Sequence, residues 1–233
     1  MSIGKEKLAQ SVGKCNLCGD RFNKRVMSRH LQSCLKNVVT ANKKASPTKT
    51  FHIAVEGKYL PEYWLHLEIR ADATLDDLDE FLRDLWLECC GHLSAFTIDG
   101  IRYDKIEDDF DLGFGFEKSA SMNIEIGKVF AKGAKIDYEY DFGTTTDLTL
   151  KVIQEREGNL SKREAIRILA RNDEPMIPCY FCGAPAKAVC SYCVYDREGW
   201  LCKKCKRKHE HYDDDVFLPV LNSPRTGQCG YEG

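Results

Sequence analysis

Between residues 51 and 156 the apolar positions fall on two periods, and together they predict a central domain. In FHIAVEG and YWLHLEI apolar residues alternate with polar or small ones, the period of a strand with one buried face. The next stretch changes period. Leu75, Leu78, Phe81, Leu82, Leu85, Trp86 and Cys89 follow helical spacing. With Thr74 as N-cap and Gly91 as C′, they predict a helix from Leu75 to about Cys90. Strands resume with AFTIDG and IRYDK, joined by the hairpin signal Asp99-Gly100, then SMNIEIG, AKIDYEYDF and DLTLKVI. Two strands, one long helix and several further strands predict an α+β domain, a sheet covered by a helix. Beyond it, Ser161-Lys162-Arg163-Glu164 reads as a capping box. It opens a connector helix through Ala165, Ile166, Ile168 and Leu169, ended by Asn172 and Pro175.

Cysteine placement adds small modules at both ends. Three cysteines lie at 15, 18 and 34, two at 89 and 90, and seven between 179 and 229. The start shows no apolar h-region, and no apolar run nears the roughly 20 residues that span a bilayer, so a cytosolic protein without membrane contact is expected. There thiols stay reduced, and C-x2-C pairs favour zinc over disulfides.

Near the start, CNLCGDRFNKRVMSRHLQSC spaces its candidate ligands as C-x2-C-x11-H-x3-C. Cys15 and Cys18 suit a knuckle relaxed by Gly19, and His30 and Cys34, four apart on a helix, point the same way. Four such ligands close a tetrahedral site with no position left for a substrate. The string resembles the short CCHC finger family, departing from it at Asp20, where that family usually has Arg. The polar, Lys-rich NVVTANKKASPTKT after it reads as a flexible linker.

Near the end the spacing is C-x2-C-x7-C-x2-C-x8-C-x2-C-x3-H-x1-H, enough for two tetrahedral sites. A single zinc with a spare pair is the simpler alternative. The spacing resembles a B-box-like cross-brace, which implies one metal held by Cys179, Cys182, Cys202 and Cys205. It implies a second held by Cys190, Cys193, His209 and His211. One residue between the two histidines is tight, so Cys229 competes with His211 for the last place. The cofactor expected is zinc, about three ions for the chain. The domains expected are a finger over 1–36, a linker over 37–50, the α+β domain over 51–156, a connector helix over 157–174 and a two-zinc module over 175–233.

Within the central domain YWLHLEI, ATLDDLDEFL, Trp86-Leu87, GHLSAF and above all YEYDFG resemble the plasmid Ri (pRiA4b) ORF-three-like family, also described as transposon-passenger TnpR-like. The resemblance covers about residues 51–155 and implies a compact α+β domain whose strand–helix start is similar to that of ubiquitin. It implies no recombinase or resolvase activity. Asp79 stands where the family often has His, and Thr146 near where a Trp often follows, so no family role carries over to either position.

Charge separates the parts. Residues 1–50 carry 11 Lys+Arg against 2 Asp+Glu, while 51–156 carry 11 against 23. A basic head, with Lys24, Arg25 and Arg29 beside the finger's helix, points to nucleic acid, and a B-box-like module points to protein. Asp213-Asp214-Asp215 opposes the basic run from Lys203 to Lys208. The leading expectation is a non-enzymatic zinc-binding interaction protein with no small-molecule substrate indicated. The rival is an enzyme whose site lies near YEYDFG, drawing on Tyr138, Tyr140, Asp141 and His92. The Asp141-Phe142-Gly143 match to a kinase motif stands alone, without a glycine-rich loop or its other partners. Cys89 reads as a buried thiol on the helix stripe and His92 as a capping or core imidazole.

Overall fold

The alternating segments pair as strands of one large sheet. The structure, a computed structural model, describes residues 11–41, 47–105, 119–195, 198–211 and 214–233. The sheet contains β1 (Val12–Cys15), β2 (Arg21–Asn23), β3 (Thr48–Gly57), β4 (Trp64–Arg70), β5 (Ser94–Ile98), β6 (Ile101–Asp104), β7 (Ala120–Ser121), β8 (Lys135–Tyr140), β9 (Thr146–Gly158) and β10 (Ile166–Asn172). Their order is β2-β1-β10-β4-β3-β9-β8-β5-β6-β7, antiparallel except for β6 with β7. Helices are few, so the expected helix-and-sheet balance gives way to a mostly β chain.

Alternation decides which residues meet. Phe51, Ile53 and Val55 on β3 and Leu65, Leu67 and Ile69 on β4 share one buried cluster with Leu75, Leu78 and Leu82 of α2 (Leu75–Leu82). The intervening Trp64 of β4 belongs to a second cluster with Met27, Leu31 and Leu35 of α1 (Lys24–Ala41). Helix α2 starts on a capping box, in which Thr74 Oγ1 accepts from Asp77 N at 3.0 Å and Asp77 Oδ2 accepts from Thr74 N at 2.7 Å. The Asp99-Gly100 turn has positive φ at both residues (48° and 81°) and joins the paired Ile98 and Ile101, as a two-residue hairpin requires.

Three expected elements change. The long helix stops at Leu82 and passes into a π-helical turn, Arg83–Leu87, where Glu88 N bonds to Arg83 O at 2.9 Å. The wider turn breaks the 3.6-residue stripe, and Cys89 stands half-buried at the edge of the main cluster rather than inside it. Residues 166–172 form strand β10 and not a connector helix. Ser161 Oγ does accept from Glu164 N at 3.2 Å, but that bond closes a turn, and Ile166, Arg167 and Ile168 then pair with Ile69, Glu68 and Leu67. Within SMNIEIG the structure has only β7's last residue, Ser121, and the start of a short helix, α3 (Ile126–Val129).

The finger joins the sheet instead of standing apart. Strand β1 pairs with β10 from Gly13↔Asn172 to Cys15↔Ala170. The approach is so close that a Cβ on Gly13 would lie 2.2 Å from the Arg171 carbonyl oxygen and 2.6 Å from the Trp64 ring. Helix α1 and β3 take up most of the proposed linker, and positions 42–46 lie outside the described residues.

After β10 the chain leaves the sheet and builds a small three-stranded one from β11 (Ala188–Cys190), β12 (Trp200–Leu201) and β13 (Phe217–Pro219), in the order β12-β11-β13. A single turn, α4 (Lys203–Lys206), follows β12. Asp213 of the acidic run lies outside the described residues. The tail then returns to the large sheet. Ser223, Arg225 and Thr226 are buried, and Asn222 and Asn172 exchange hydrogen bonds at 2.7 and 3.0 Å. Among the described residues no helix is long and apolar enough to cross a membrane.

Candidate metal centres

Four groups of Cys and His side chains converge, and within each group the four candidate donor atoms lie within 4.8 Å of one another. Tetrahedral coordination provides a sharper test. A metal–sulfur bond of about 2.3 Å gives an S···S edge of about 3.8 Å, and with a nitrogen at about 2.05 Å an S···N edge of about 3.6 Å. The observed S···S edges, 3.6 to 3.8 Å, match the first value, and the S···N edges, 3.0 to 3.5 Å, are somewhat shorter than the second. A disulfide needs sulfurs about 2.05 Å apart, and all twelve cysteines are free.

The first group is Cys15, Cys18, His30 and Cys34. The knuckle between β1 and β2 turns at Gly19 (φ 85°), where Gly19 N reaches Cys15 O at 2.8 Å. Helix α1 supplies the other two donors, with His30 Nε2 at 3.3 Å from Cys18 Sγ. The Phe22 ring lies 4.2 Å from that imidazole and fixes its plane.

The second group is Cys179, Cys182, Cys202 and Cys205, with Cys182 Sγ at 3.6 Å from Cys202 and 3.7 Å from Cys205. Burial raises the Cys179 thiol, but backbone N–H groups of Cys202, Cys182 and Phe181 outweigh it and bring the thiol down to about 6. The third group is Cys190, Cys193, His209 and His211. His209 presents Nε2 to Cys193 at 3.4 Å, while His211 presents Nδ1 to Cys193 at 3.4 Å and to Cys190 at 3.5 Å. Use of opposite ring nitrogens lets two histidines one residue apart meet at a single point. Cys229 is not the competing donor there.

Cys229 belongs instead to a fourth group, with Cys89, Cys90 and His92. Cys90 Sγ lies 3.7 Å from Cys89 Sγ, 3.8 Å from Cys229 Sγ and 3.0 Å from His92 Nε2, and His92 Nε2 lies 3.2 Å from Cys229 Sγ. The π turn delivers the paired cysteines, Gly91 (φ 78°) reverses the chain, and His92 follows. Sequence reasoning weighed these residues one at a time. The available signal was the local Cys-Cys-x-His string together with one cysteine left over from the terminal module.

Crowded sulfurs disfavour thiolates. Burial together with Cys15 and Cys18 pushes the Cys34 thiol up to about 12, burial with Cys190 pushes Cys193 to about 11, burial with Cys182 and Cys179 pushes Cys205 to about 12, and contact with Cys89 raises Cys90 to about 11. A divalent cation at the centre of such a group reverses this preference, because it binds the deprotonated form. The donor sets, three Cys with one His, four Cys, and two Cys with two His, are nitrogen and sulfur sets of the kind zinc takes.

The YEYDFG segment lies beside the fourth group. Tyr140 donates to Glu88 Oε1 at 3.1 Å, and Cys89 N donates to the Tyr140 hydroxyl at 3.4 Å. Asp141, at φ 64°, accepts from Gly143 N and Thr144 N at 3.0 and 3.1 Å, so Asp141-Phe142-Gly143 is a turn. Tyr138 is buried and donates to Asp79 Oδ1 at 2.7 Å. Next to this segment lies a pocket of ≈ 80 Å³ lined by residues that include Gly57, Tyr59, Thr146, Asp147 and Gln228. Small-molecule sites run to about 300–1,000 Å³.

The model of the plasmid pRiA4b ORF-3-like proteins matches residues 49–178, more than half of the chain. The chain belongs to that family. Among curated proteins no relative matches it. Among solved structures it resembles a protein of unknown function, MM3350, from Methanosarcina mazei Go1, with a TM-score of 0.49 and 18% identity over 77% of this chain and 97% of that one. The pRiA4b ORF-3-like segment contains Cys89, Cys90 and His92 but not Cys229. The first three groups lie entirely outside it.

Proposed function

We propose that this pRiA4b ORF-3-like protein is a non-enzymatic interaction protein whose terminal modules are shaped by structural zinc. The observation that carries the reading is closure. Each terminal group offers four protein donors at tetrahedral spacing, which fills the coordination sphere and leaves no place for a substrate or an activated water. The small pocket beside YEYDFG supports binding over catalysis in the central domain. The ligand proposed for the basic head is nucleic acid, since Arg25 and Arg29 are exposed on α1. Lys24 and Arg21 contribute less, being paired with Glu56 and Asp173.

Deleting the head would strip β1 from β10, so charge reversal is the cleaner test. Wild type and Arg25→Glu/Arg29→Glu are titrated with labelled duplex and single-stranded nucleic acid at several salt concentrations. If about five phosphates are neutralised, log K against log salt has a slope of roughly -4.5 on duplex DNA, shallower by about 2 in the double variant. Equal binding by both proteins, or none at low salt, refutes nucleic acid as the ligand.

A second reading has its own support. Tyr180, Phe181 and Tyr192 sit inside the C-x2-C knuckles and are 48%, 58% and 69% exposed, a surface suited to a protein partner. Retention of a cellular protein by wild type, lost when these three residues become Ser, would favour that reading.

A further inference from the structure

We infer that Cys89, Cys90, His92 and Cys229 form a fourth zinc site, one that clasps the C-terminal tail to the pRiA4b ORF-3-like domain. Three observations converge. Two S···S edges, 3.7 and 3.8 Å, match a tetrahedron around a single ion, two S···N edges, 3.0 and 3.2 Å, are somewhat shorter, and all four donors lie within 4.8 Å of one another. The donors come from two distant segments, Cys229 standing 139 residues beyond Cys90, so a bound ion acts as a long-range cross-link. And a buried ion pair, Arg225 with Asp141, lies against the site, touching Cys89 through the arginine and His92 Nε2, at 3.5 Å, through the carboxylate. Arg225, fully buried, sets its guanidinium 3.5 Å from Cys89 Sγ and 2.6 Å from Asp141 Oδ2.

That arginine ties the clasp to the tail's docking. The same side chain donates to Thr144 O at 2.6 Å and to Thr146 Oγ1 at 3.1 Å, and Thr146 donates to Gln228 Oε1 at 3.0 Å. Ser223 donates to Trp86 O at 2.5 Å, on the π turn that leads into Cys89. The tail is thus threaded past the family's YEYDFG turn and ends at the metal. Partners that orient ligands are what a metal site needs around it. The terminal two-metal module is looped out between β10 and this tail, joined at its base by the Asn172–Asn222 pair. Closing the clasp fixes both ends of that loop, and with them where the module's aromatic knuckles sit. Cys90 and Cys229 are exposed, so the clasp is open to chelators and to exchange.

The test is native mass spectrometry of the full chain, purified with zinc under reducing conditions, against Cys229→Ser and Cys90→Ser. The proposal expects four zinc ions in wild type and three in each variant, with amides of residues 220–230 exchanging faster in both variants. Circular dichroism checks that the variants fold, and the three retained ions report separately on the terminal groups. Wild type with three ions, unchanged in the variants, overturns the clasp while leaving the terminal sites standing. A Cys90–Cys229 disulfide in wild type with no fourth ion overturns it as well.

Discussion

Two buried histidines make stability depend on pH in a window that can be worked out. His52 on β3 and His66 on β4 lie on the sheet face that receives α1, with His52 Nε2 3.0 Å from His66 Nδ1 and Ser28 Oγ of α1 3.3 Å from His66 Nε2. Burial, then the charge of Arg156, lowers His52 from 6.5 to about 4. Burial, then His52 and Lys24, takes His66 well below its ordinary value. Glu68, opposite His52 on β4, offers no counterweight, because it is already held between Arg156 and Arg167. Both rings are therefore neutral in the fold. As pH falls below about 6.5 the unfolded chain takes up protons that the folded chain refuses until about 4, so stability is full above that window and is lost through it.

For His52 alone the loss between about pH 7.5 and about pH 5 comes to about 2 kcal/mol, with His66 adding in the same direction. The assay is urea unfolding of wild type and His52→Gln at both pH values. Whatever other groups contribute over this range they contribute in both proteins, and the double difference removes them. The gap between wild type and variant should shift by about 2 kcal/mol in the variant's favour on acidification. Hydrogen exchange should place the loosening first in α1, the helix resting on the pair. Parallel pH dependences would show that His52 accepts its proton as readily in the fold as out of it, and would refute the argument.

Tyr138→Phe should cost about 1.5–3 kcal/mol, the usual worth of a hydrogen bond to a charged group, because Asp79 then keeps only Ser94 as a hydroxyl donor at 2.6 Å. Urea unfolding with an unchanged m-value checks it, and a loss under about 0.5 kcal/mol would contradict it. Chelating any bound metal should unfold the small sheet of β11, β12 and β13 while leaving strands β3 to β10 of the large sheet intact. The small sheet's core is slight, and a structural zinc supplies about 10–16 kcal/mol in modules of this size. Hydrogen exchange after chelation should therefore split into two regimes, and uniform protection throughout would refute the division. In the finger, α1 should outlast the knuckle, since Met27, Leu31 and Leu35 pack against Trp64 independently of any ion.

What the sequence disclosed was local. Alternation located β3, β4, β5, β8 and β9, Thr74 as N-cap located the start of α2, and C-x2-C spacing brought out the terminal donors, because each of these signals is short-range in the chain. What it hid depended on partners far away. Ser161 to Glu164 satisfies the helix-start rule, yet β4 and β1 flank residues 166–172 and bond to both edges of that segment, and two ladders outweigh one capping hydrogen bond. The finger reads as a tethered module because nothing within residues 11–41 reveals that Gly13 will meet Arg171.

The fourth group combines both kinds of blindness, and this bears on how the chain is organised. Helical spacing assigned Cys89 to the core row, but the π turn interrupts that count and leaves the thiol at the edge of the core, beside Cys90, Tyr140 and Arg225. Cys229 was sought near the terminal cysteines it follows in sequence, yet the buried tail carries it to the central domain. The second error came from treating modules as separable, and the structure joins them through contacts that include β1 on β10, Asn172 with Asn222, and Cys229 beside Cys90. A chain joined in this way transmits the loss of one ion beyond its own site. If the fourth group holds an ion, opening it releases Cys229 and loosens the end of the tail beyond its hydrogen bonds to Thr144, Thr146 and Trp86, whereas opening the second or third group leaves the whole tail in place. The order in which the ions leave should therefore determine which surfaces remain fixed for a partner to meet.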